Sequence, residues 1–226
     1  MAPPRIAFYD FDGTLTSDSL VTRYARLAAG IRPARNAVWR LSRLAARAPL
    51  LLALEHYSRG RFNQAFFREY RGLDGDWLFQ RAERLFGSHI QRSIYPQAAK
   101  CLESDRLAGL VLVLVTGELD FIAEAVGRHF GFDQVICNSL IFEHGRATGE
   151  VMPPLIAGSQ KVAAIERICQ TLGIRRCEAK AYSDSYSDAP LLSAVGRPAA
   201  VNPDRHLARL ARQRGWPILS FRKSAR

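Results

Sequence analysis

Apolar residues along the chain recur with two periods, one typical of strands and the other typical of helices. Residues 6–9 form a short apolar run, and residues 109–115 are apolar on both faces, as in a central strand of a parallel sheet. After Thr16 the period is helical, and up to residue 87 the pattern contains no convincing strand. The pattern therefore predicts two buried strands separated by a long helical segment.

Glycine and proline divide that segment into five predicted helices. They are expected at 20–29, 33–47, 50–58, 62–71 and 75–87, with breaks at Gly30, Pro33, Pro49, Gly60 and 72–75. Either Asp18 or Ser19 is suited to cap the first helix, because a short polar side chain there accepts a hydrogen bond from a free backbone N–H. That helix is thus expected to begin near Leu20.

Beyond residue 109 strands and helices alternate, which predicts a parallel sheet with helices on both faces. The expected order is helix 119–130, strand 134–138, hairpin 140–151, helix 159–172, strand 179–183, helix 188–194, strand 199–201, helix 204–214 and strand 217–221. The predicted fold class is α/β, with a doubly wound, Rossmann-like core at residues 1–16 plus 96–226. An all-helical cap at residues 17–95 would hang over the carboxyl ends of the strands, where open α/β sheets bind ligands.

Length and composition agree with one such core and its insert. The 226 residues are 48% hydrophobic, which suffices for a sizeable core. The four cysteines form no Cys-x-x-Cys pair, so neither a structural zinc site nor a disulfide scaffold is expected. No apolar run reaches the roughly 18 residues of a membrane span, and the first strand leaves no room before it for a signal peptide. A reduced, cytoplasmic location is expected.

The chain is strongly basic. Its net charge is +11, and 28 of its 32 basic residues are arginines, spread along the sequence. Such a charge favours anionic partners, namely phosphorylated metabolites, an anionic membrane surface or nucleic acid. A generally arginine-rich composition would explain it equally well. No nucleic-acid-binding motif accompanies the charge, so no nucleic acid partner is expected, and the oligomeric state stays open.

Two aspartates close the first strand. Residues two apart along a strand point the same way, so Asp10 and Asp12 project together while Phe11 points to the other side. Paired carboxylates repel each other unless a cation or a proton lies between them, and Gly13 allows a tight turn directly afterwards. The pair therefore predicts a cation site or acid–base chemistry, with an Asp-Gly turn at a strand end as the simpler alternative.

Further polar groups stand where other core elements begin or end. Thr116 and Gly117 follow the strand 109–115, where a hydroxyl and a backbone N–H are able to bind a phosphoryl oxygen. Lys161 lies at the start of helix 159–172, where its ammonium would neutralise a phosphate. A solvated helix lysine and a common Thr-Gly turn are the alternatives.

Asp184 and Asp188 bracket the loop after strand 179–183. Because the carboxyl ends of parallel strands meet at one edge of the sheet, a carboxylate there is expected beside Asp10 and Asp12. Carboxylate oxygens are the ligands that Mg²⁺ prefers in proteins. A magnesium site is therefore expected at this edge, although Asp188 also suits a helix N-cap.

Taken in order, these residues resemble the four motifs of the haloacid dehalogenase (HAD) superfamily. The motifs correspond to segment 10–16 (DFDGTLT), Thr116-Gly117, Lys161 and segment 182–188 (YSDSYSD). A helical insert directly after the first motif resembles the phosphoserine-phosphatase-like branch. Segments 181–188 and 200–205 look like a bacterial group of that branch, which is itself similar to the phosphatidylglycerophosphate phosphatases.

The resemblance implies a Mg²⁺-dependent phosphomonoester hydrolase that forms an aspartyl-phosphate and acts on a small phosphorylated metabolite. It implies that Asp10 is the nucleophile and Asp12 the general acid and base. The implied metal ligands are Asp10, the backbone carbonyl of Asp12, and Asp184, with Asp188 supporting them. The groups implied to hold the phosphoryl oxygens are Thr116, Gly117 and Lys161. The cap is implied to act as a lid that selects the substrate.

Two positions depart from the pattern of the branch. Phosphoserine phosphatases carry a glutamate shortly after the first motif that recognises the substrate's amino group, and Ser19, beside Asp18, stands in that place. A hydroxyl does not replace that charge, so phosphoserine is not expected as the substrate unless Asp18 substitutes. Glu118, next to Gly117, needs a cationic partner so near to phosphate. Arg61 is the candidate for that role, or for binding a second anionic group of the substrate.

Residues 38–54 mix Arg with Trp and Leu. This suits either a helix in a membrane interface or a cap helix with its Leu face turned inward, of which we expect the second. The first would accord with a phosphatidylglycerophosphate-type lipid phosphatase at a membrane surface. A remote alternative is a non-enzymatic phospho-accepting switch. Asp12 argues against it, because a built-in acid–base group would shorten the life of the phosphoaspartate.

Overall fold

The computed structural model describes residues 5–223 and shows an α/β protein. Its strands are Ile6–Tyr9 (β1), Val111–Leu119 (β2), Gln134–Asn138 (β3), Leu140–Glu143 (β4), Arg146–Val151 (β5), Ala179–Ser183 (β6), Arg197–Val201 (β7) and Ile218–Leu219 (β8). Six of them form a parallel sheet in the order β3-β2-β1-β6-β7-β8, and β4 and β5 form a separate antiparallel hairpin. The predicted fold class is confirmed.

Strand β1 lies in the middle of the sheet, and all four of its residues are buried. Its Ile6 is in register with Val111 of β2 on one side and with Ala179 of β6 on the other. The chain fills the sheet outward from β1 in both directions, so the strand order reverses there. In open α/β sheets this is where ligands bind, just outside the carboxyl ends of the strands.

The chain between β1 and β2 is mostly helical. Its helices are Leu20–Ala29 (α1), Ala34–Tyr57 (α2), Arg59–Phe67 (α3), Gly75–Leu85 (α4), Gln91–Ser93 (α5) and Pro96–Leu107 (α6), with a 3₁₀ turn at Arg68–Tyr70 and a π turn at Phe86–Ile90. The Ser17 N–H donates to the Ser93 carbonyl and the Tyr95 N–H donates to the Leu15 carbonyl, both at 2.9 Å. The segment therefore leaves and rejoins the rest of the chain at one place, and the division at residues 17–95 stays a prediction.

Four further helices follow, at Asp120–Phe130 (α7), Ser159–Thr171 (α8), Ala189–Ser193 (α9) and Arg205–Arg214 (α10). Successive strand residues point to opposite faces of the sheet. Phe8 and Val113 pack with Ile165 and the other apolar residues of α8–α10. Tyr9 and Leu114 belong to the apolar cluster that continues into α1–α4 and α7. The sheet is thus covered on both faces, and the helical segment shares one of its two cores.

Helix α2 overturns the prediction of two helices divided at Pro49. It runs unbroken for 24 residues. Pro49 has no N–H to bond to the carbonyl of Ala45, a loss that commonly ends or kinks a helix. Leu44 and Leu51, seven residues apart on one face, are both buried. Packing on either side of Pro49 therefore holds the two halves on one axis.

Other boundaries differ by a few residues. Strand β2 continues past Val115 to Leu119, with an irregular register against β3 over that stretch. Helix α6 was not predicted, because only Ala98, Leu102 and Asp105 are buried along it and the apolar period is weak. The last strand is shorter than predicted. The predicted core also includes residues 1–4 and 224–226, which lie outside the described residues.

The sequence predicts neither a membrane span nor a disulfide scaffold. None of the helices within residues 5–223 combines the length and hydrophobicity that crossing a bilayer requires. All four cysteines fall in that range, and each is a free thiol.

Substitutions at neighbouring buried and exposed positions of α2 are predicted to differ in their effect on stability. Leu51→Ala is expected to lower the free energy of unfolding by about 2–3 kcal/mol, because it empties a buried site. Leu52→Ala, at a side chain that is 66% exposed, should change it by no more than about 0.5 kcal/mol. Urea denaturation of both variants checks this, and equal losses would contradict the packing of α2.

Candidate active site

Polar residues converge at the carboxyl edge of β1, β2 and β6, where a cavity of about 1070 Å³ opens. The predicted residues that line it are Asp10, Asp12, Asp18, Ser19, Thr116, Gly117, Lys161, Asp184 and Asp188. The opposite wall comes from the end of α2 and the start of α3, including Glu55, His56, Arg59 and Asn63. The fold therefore brings together nine of the ten candidates, and Arg61 is the exception.

Lys161 is the centre of this arrangement. It lies in the first turn of α8, and its Nζ donates to Asp10 Oδ1 and to Asp188 Oδ2, each at 2.7 Å. The Ser183 hydroxyl donates to the same oxygen of Asp188 at 2.7 Å. Lys161, Asp10 and Asp188 are all buried. A buried ammonium is stable only when it is paired, so this contact fixes all three side chains.

Burial changes the protonation of these groups. It raises the pKa of Asp10 to about 6, with Lys161 opposing the rise and Asp188 adding to it. The pKa of Asp184 lies well above its ordinary range because of burial and of the neighbouring carboxylates, Asp10 first among them. Burial alone would lower the pKa of Lys161, but Asp10 and Asp188 raise it overall, so the ammonium stays charged. One lysine faces several carboxylates, and negative charge is left over.

Asp184 is one of these acidic side chains, and Asp10 and Asp188 are the charged groups that act on it most strongly. It lies against Gly13, where a Cβ atom would come within 1.9 Å of Asp184 Oδ2, and Gly13 has a φ of +71°. Only glycine fits there, because it has no Cβ atom and adopts a positive φ without strain.

The side chains of Asp10 and Asp184 and the backbone carbonyl of Asp12 offer hard oxygen ligands, which Mg²⁺ prefers. In the described part of the chain, no three acidic, His or Cys side chains form a complete metal cluster. Mg²⁺ commonly binds through one or two carboxylates and completes its shell with substrate oxygens and water. The absence of a larger side-chain cluster is therefore compatible with the expected ion.

Thr116 and Gly117 lie within the irregular end of β2 rather than in a turn after it, which corrects the predicted strand end. The Gly117 carbonyl accepts hydrogen bonds from Asn138 Nδ2 at 2.9 Å and from Asn63 Nδ2 at 3.3 Å. A Cβ atom on Gly117 would lie 2.7 Å from Asn63 Nδ2. The two amides hold this backbone in place, and both escaped the sequence analysis.

Asp12 faces α1. Arg23 Nη2 lies 2.5 Å from Asp12 Oδ1, and the Leu20 N–H donates to Asp12 Oδ2 at 3.2 Å. The same guanidinium donates from Nε to Glu118 Oε2 at 2.6 Å. Arg23 and Glu118 are both buried, and together their charges cancel. Arg23 is thus the partner that Glu118 requires.

Arg61 was the wrong candidate for that role. Its guanidinium lies over the ring of Tyr57, and the side chain is exposed. Neighbouring positions on a helix are 100° apart, so Arg61 points away from the face that carries Arg59 and Asn63. Arg59 Nη2, by contrast, lies 3.6 Å from Asp12 Oδ2 at the cavity wall.

The sequence did contain a signal for Arg23. Leu20, Tyr24 and Leu27 form the buried stripe of α1, and position 23 lies within it. An arginine at a core position predicts a buried ion pair.

Asp18 and Ser19 both reach the cavity but differ in their partners. Ser19 caps α1, because its side chain accepts from the Thr22 N–H. Asp18 Oδ2 lies 3.1 Å from Nε2 of His89, without hydrogen-bond geometry between the two atoms. The carboxylate of Asp18 is buried next to Ser19, the position at which the resemblance to phosphoserine phosphatases predicts a glutamate.

A parallel sheet with aspartates at the ends of its central strands, facing a buried lysine, defines an α/β enzyme of the phosphoryl-transfer type. The chain belongs to the haloacid dehalogenase-like hydrolase family, whose model matches residues 7–193. The recognition made from the four motifs is confirmed, and the enzyme is a phosphatase of that family.

The chain is also similar to two individual proteins in sequence and to a third in fold. The chain is 32% identical to the inhibition of morphological differentiation protein of Streptomyces azureus, over 99% of this chain and 81% of that one. It is 33% identical to a histidinol-phosphatase of Neisseria meningitidis serogroup C, over 71% of this chain and 82% of that one. Its fold matches a phospho-aspartyl intermediate analogue of phosphoserine phosphatase with a TM-score of 0.70 at 18% identity, over 98% and 95% of the two chains.

The buried pair of Arg23 and Glu118 predicts a pattern of stabilities. Arg23→Met should lower the free energy of unfolding by about 3–5 kcal/mol, because Glu118 stays buried without a partner. Adding Glu118→Leu to that variant should restore most of the loss, since an apolar pair replaces an uncompensated charge. Guanidinium denaturation measures both, with Arg26→Met, at an exposed position of α1, as the control. A double variant no more stable than Arg23→Met would contradict the pairing.

Proposed function

We propose that this phosphatase hydrolyses phosphomonoesters of small metabolites, with Mg²⁺ as cofactor and through an aspartyl-phosphate on Asp10. The observation that carries the proposal is the contact of Lys161 with Asp10 at 2.7 Å, at the wall of a cavity also lined by Thr116 and Gly117. The contact puts a fixed cation beside the nucleophile, where the incoming phosphate dianion is otherwise repelled by carboxylates.

Two steps account for the reaction. In the first, a carboxylate oxygen of Asp10 attacks phosphorus, the bond from phosphorus to the leaving oxygen breaks, and Asp12 gives that oxygen a proton. In the second, Asp12 takes a proton from water while the water oxygen attacks the phosphoaspartate. Inorganic phosphate leaves and Asp10 is restored.

The remaining groups position the phosphoryl group. Lys161 would pair with one of its oxygens, and the Thr116 hydroxyl and Gly117 N–H would bind the others. Asp10, the backbone carbonyl of Asp12, and Asp184 would hold Mg²⁺, with Asp188 in support. Bound there, the ion offsets the repulsion between carboxylates and phosphate.

We propose that residues 17–95 act as the cap that selects the substrate. The cavity wall that this segment supplies is polar and carries both signs of charge, with Asp18 and Glu55 against His56 and Arg59. Such a wall suits a small polar leaving group better than an acyl chain. Asp18 is the group in that wall best placed to bind a substrate amine, because the neighbouring Ser19 has no negative charge with which to do so. A cytoplasmic location remains part of this proposal.

Replacing the nucleophile tests the proposed chemistry. Asp10→Asn should reduce phosphate release by at least about a thousandfold, because the amide does not attack phosphorus. The substrates would be p-nitrophenyl phosphate, phosphoserine, histidinol phosphate, sugar phosphates and phosphatidylglycerophosphate, each with Mg²⁺ and with EDTA. Asp76→Asn, at an exposed aspartate of α4, is the matched control. Equal activity of Asp10→Asn and wild type would disprove the nucleophile, and a preference for the lipid would replace the metabolite reading.

The protonation of Asp10 and Asp184 predicts how metal binding depends on pH. Their pKa values are raised in the folded state, so the folded protein binds more protons, and metal-free stability should fall as pH rises from about 4 through 6. Mg²⁺ needs the deprotonated carboxylates. It should therefore raise the melting temperature more at pH 7 than at pH 5, and Asp184→Asn should weaken that gain. Thermal unfolding with Mg²⁺ and with EDTA measures this, and a gain independent of pH would contradict it.

A further inference from the structure

Helix α2 exposes a line of large apolar side chains to solvent. Trp39, Leu50 and Tyr57 are 58%, 53% and 74% exposed. Their spacings of 11 and 7 residues are close to whole numbers of helical turns, so they lie along one side of the helix. Ala46 and Ala53 lie between them on the same side and are also exposed. We call these five residues the α2 stripe.

The stripe takes no part in the hydrophobic core. The opposite side of α2 already packs through Leu44 and Leu51, which are buried. Val38 and Leu52, each more than 60% exposed, lie farther round the helix from the stripe, on the remaining exposed surface of α2. Contiguous apolar surface that the fold leaves in water is typical of an interaction site.

The charge around the stripe is mostly positive, because Glu55, the one acidic residue of α2, is paired with Arg59. Between Asp18 and Glu55 the chain contains seven arginines and no acidic residue. Arg26, Arg32 and Arg35 are exposed and have no acidic partner among residues 5–223. Two other arginines of α2, Arg43 and Arg47, share the single buried carboxylate of Glu69. This region therefore presents apolar side chains within uncompensated positive charge.

We propose that the α2 stripe docks on the surface of an anionic phospholipid bilayer. Trp, Tyr and Leu on one side of a helix, flanked by arginines, are the combination that lies in a bilayer interface. Anionic headgroups supply the charge that the arginines lack. A second copy of this chain would instead oppose like charges, and no nucleic-acid-binding motif accompanies the arginines.

Docking would bring the active site close to the membrane. Tyr57, the last residue of the stripe, also lines the cavity of the candidate active site. At about 1.5 Å per residue, α2 is roughly 36 Å long, so the whole helix would lie along the surface. The proposal concerns where the enzyme binds and is independent of the proposed function.

Co-sedimentation with vesicles tests the proposal. The protein should sediment with vesicles of phosphatidylcholine mixed with phosphatidylglycerol, less so at high salt, and not with phosphatidylcholine alone. Leu50→Glu and Arg35→Glu should each weaken binding by about tenfold. Leu107→Glu on α6 and Arg209→Glu on α10, also at exposed positions, are the matched controls and should bind as wild type does.

Circular dichroism shows that each variant is folded, and light scattering reports its oligomeric state. Hydrolysis of p-nitrophenyl phosphate should be unchanged in Leu50→Glu and Arg35→Glu. Co-sedimentation measures vesicle binding independently of this activity. The proposal fails if wild type ignores phosphatidylglycerol vesicles, or if Leu50→Glu binds them as wild type does. It fails equally if Leu50→Glu dissociates a wild-type dimer, because a second copy would then cover the stripe.

Discussion

Repulsion between carboxylates at the carboxyl edge of the sheet is the constraint on which this structure depends. The parallel pairing of β1 and β6 places Asp10 and Asp184 at the same edge. Their pKa values are raised, first by burial and then by neighbouring carboxylates. Lys161 offsets part of it by contacting Asp10 and Asp188. The charge that remains is what makes the edge suited to a divalent cation and then to a phosphate.

The second ionic contact joins the helical segment to this edge. Arg23 reaches from α1 to Asp12 and Glu118 at once. Because α1 also donates the Leu20 N–H to Asp12, both oxygens of the proposed acid–base group are held by the segment that we propose as the cap. The position of α1 and the orientation of the Asp12 carboxylate are therefore coupled. Substrate selection and proton transfer are expected to depend on each other for this reason.

Local pattern was sufficient for most of the fold. The central strands were predictable because their residues are buried on both faces, and the hairpin and the helices of the second half followed from alternating periods. Pro49 shows where local rules stop. A proline in a helical pattern predicts a break, but burial of Leu44 and Leu51 on either side outweighs it. Whether a helix survives such a residue is decided by the surface that it packs against.

The sequence by itself determined which polar groups meet at the site, because carboxylates, hydroxyls and one lysine at strand and helix ends converge at the carboxyl edge of a parallel sheet. Only the tertiary structure decided their partners. Glu118 meets Arg23 rather than Arg61, because the direction of a side chain depends on where its helix lies and how it is rotated. The structure also decided that Trp39 and Leu50 stay in water while Leu44 is buried. All three are apolar residues on one helix, and composition does not distinguish its faces once both of them are apolar.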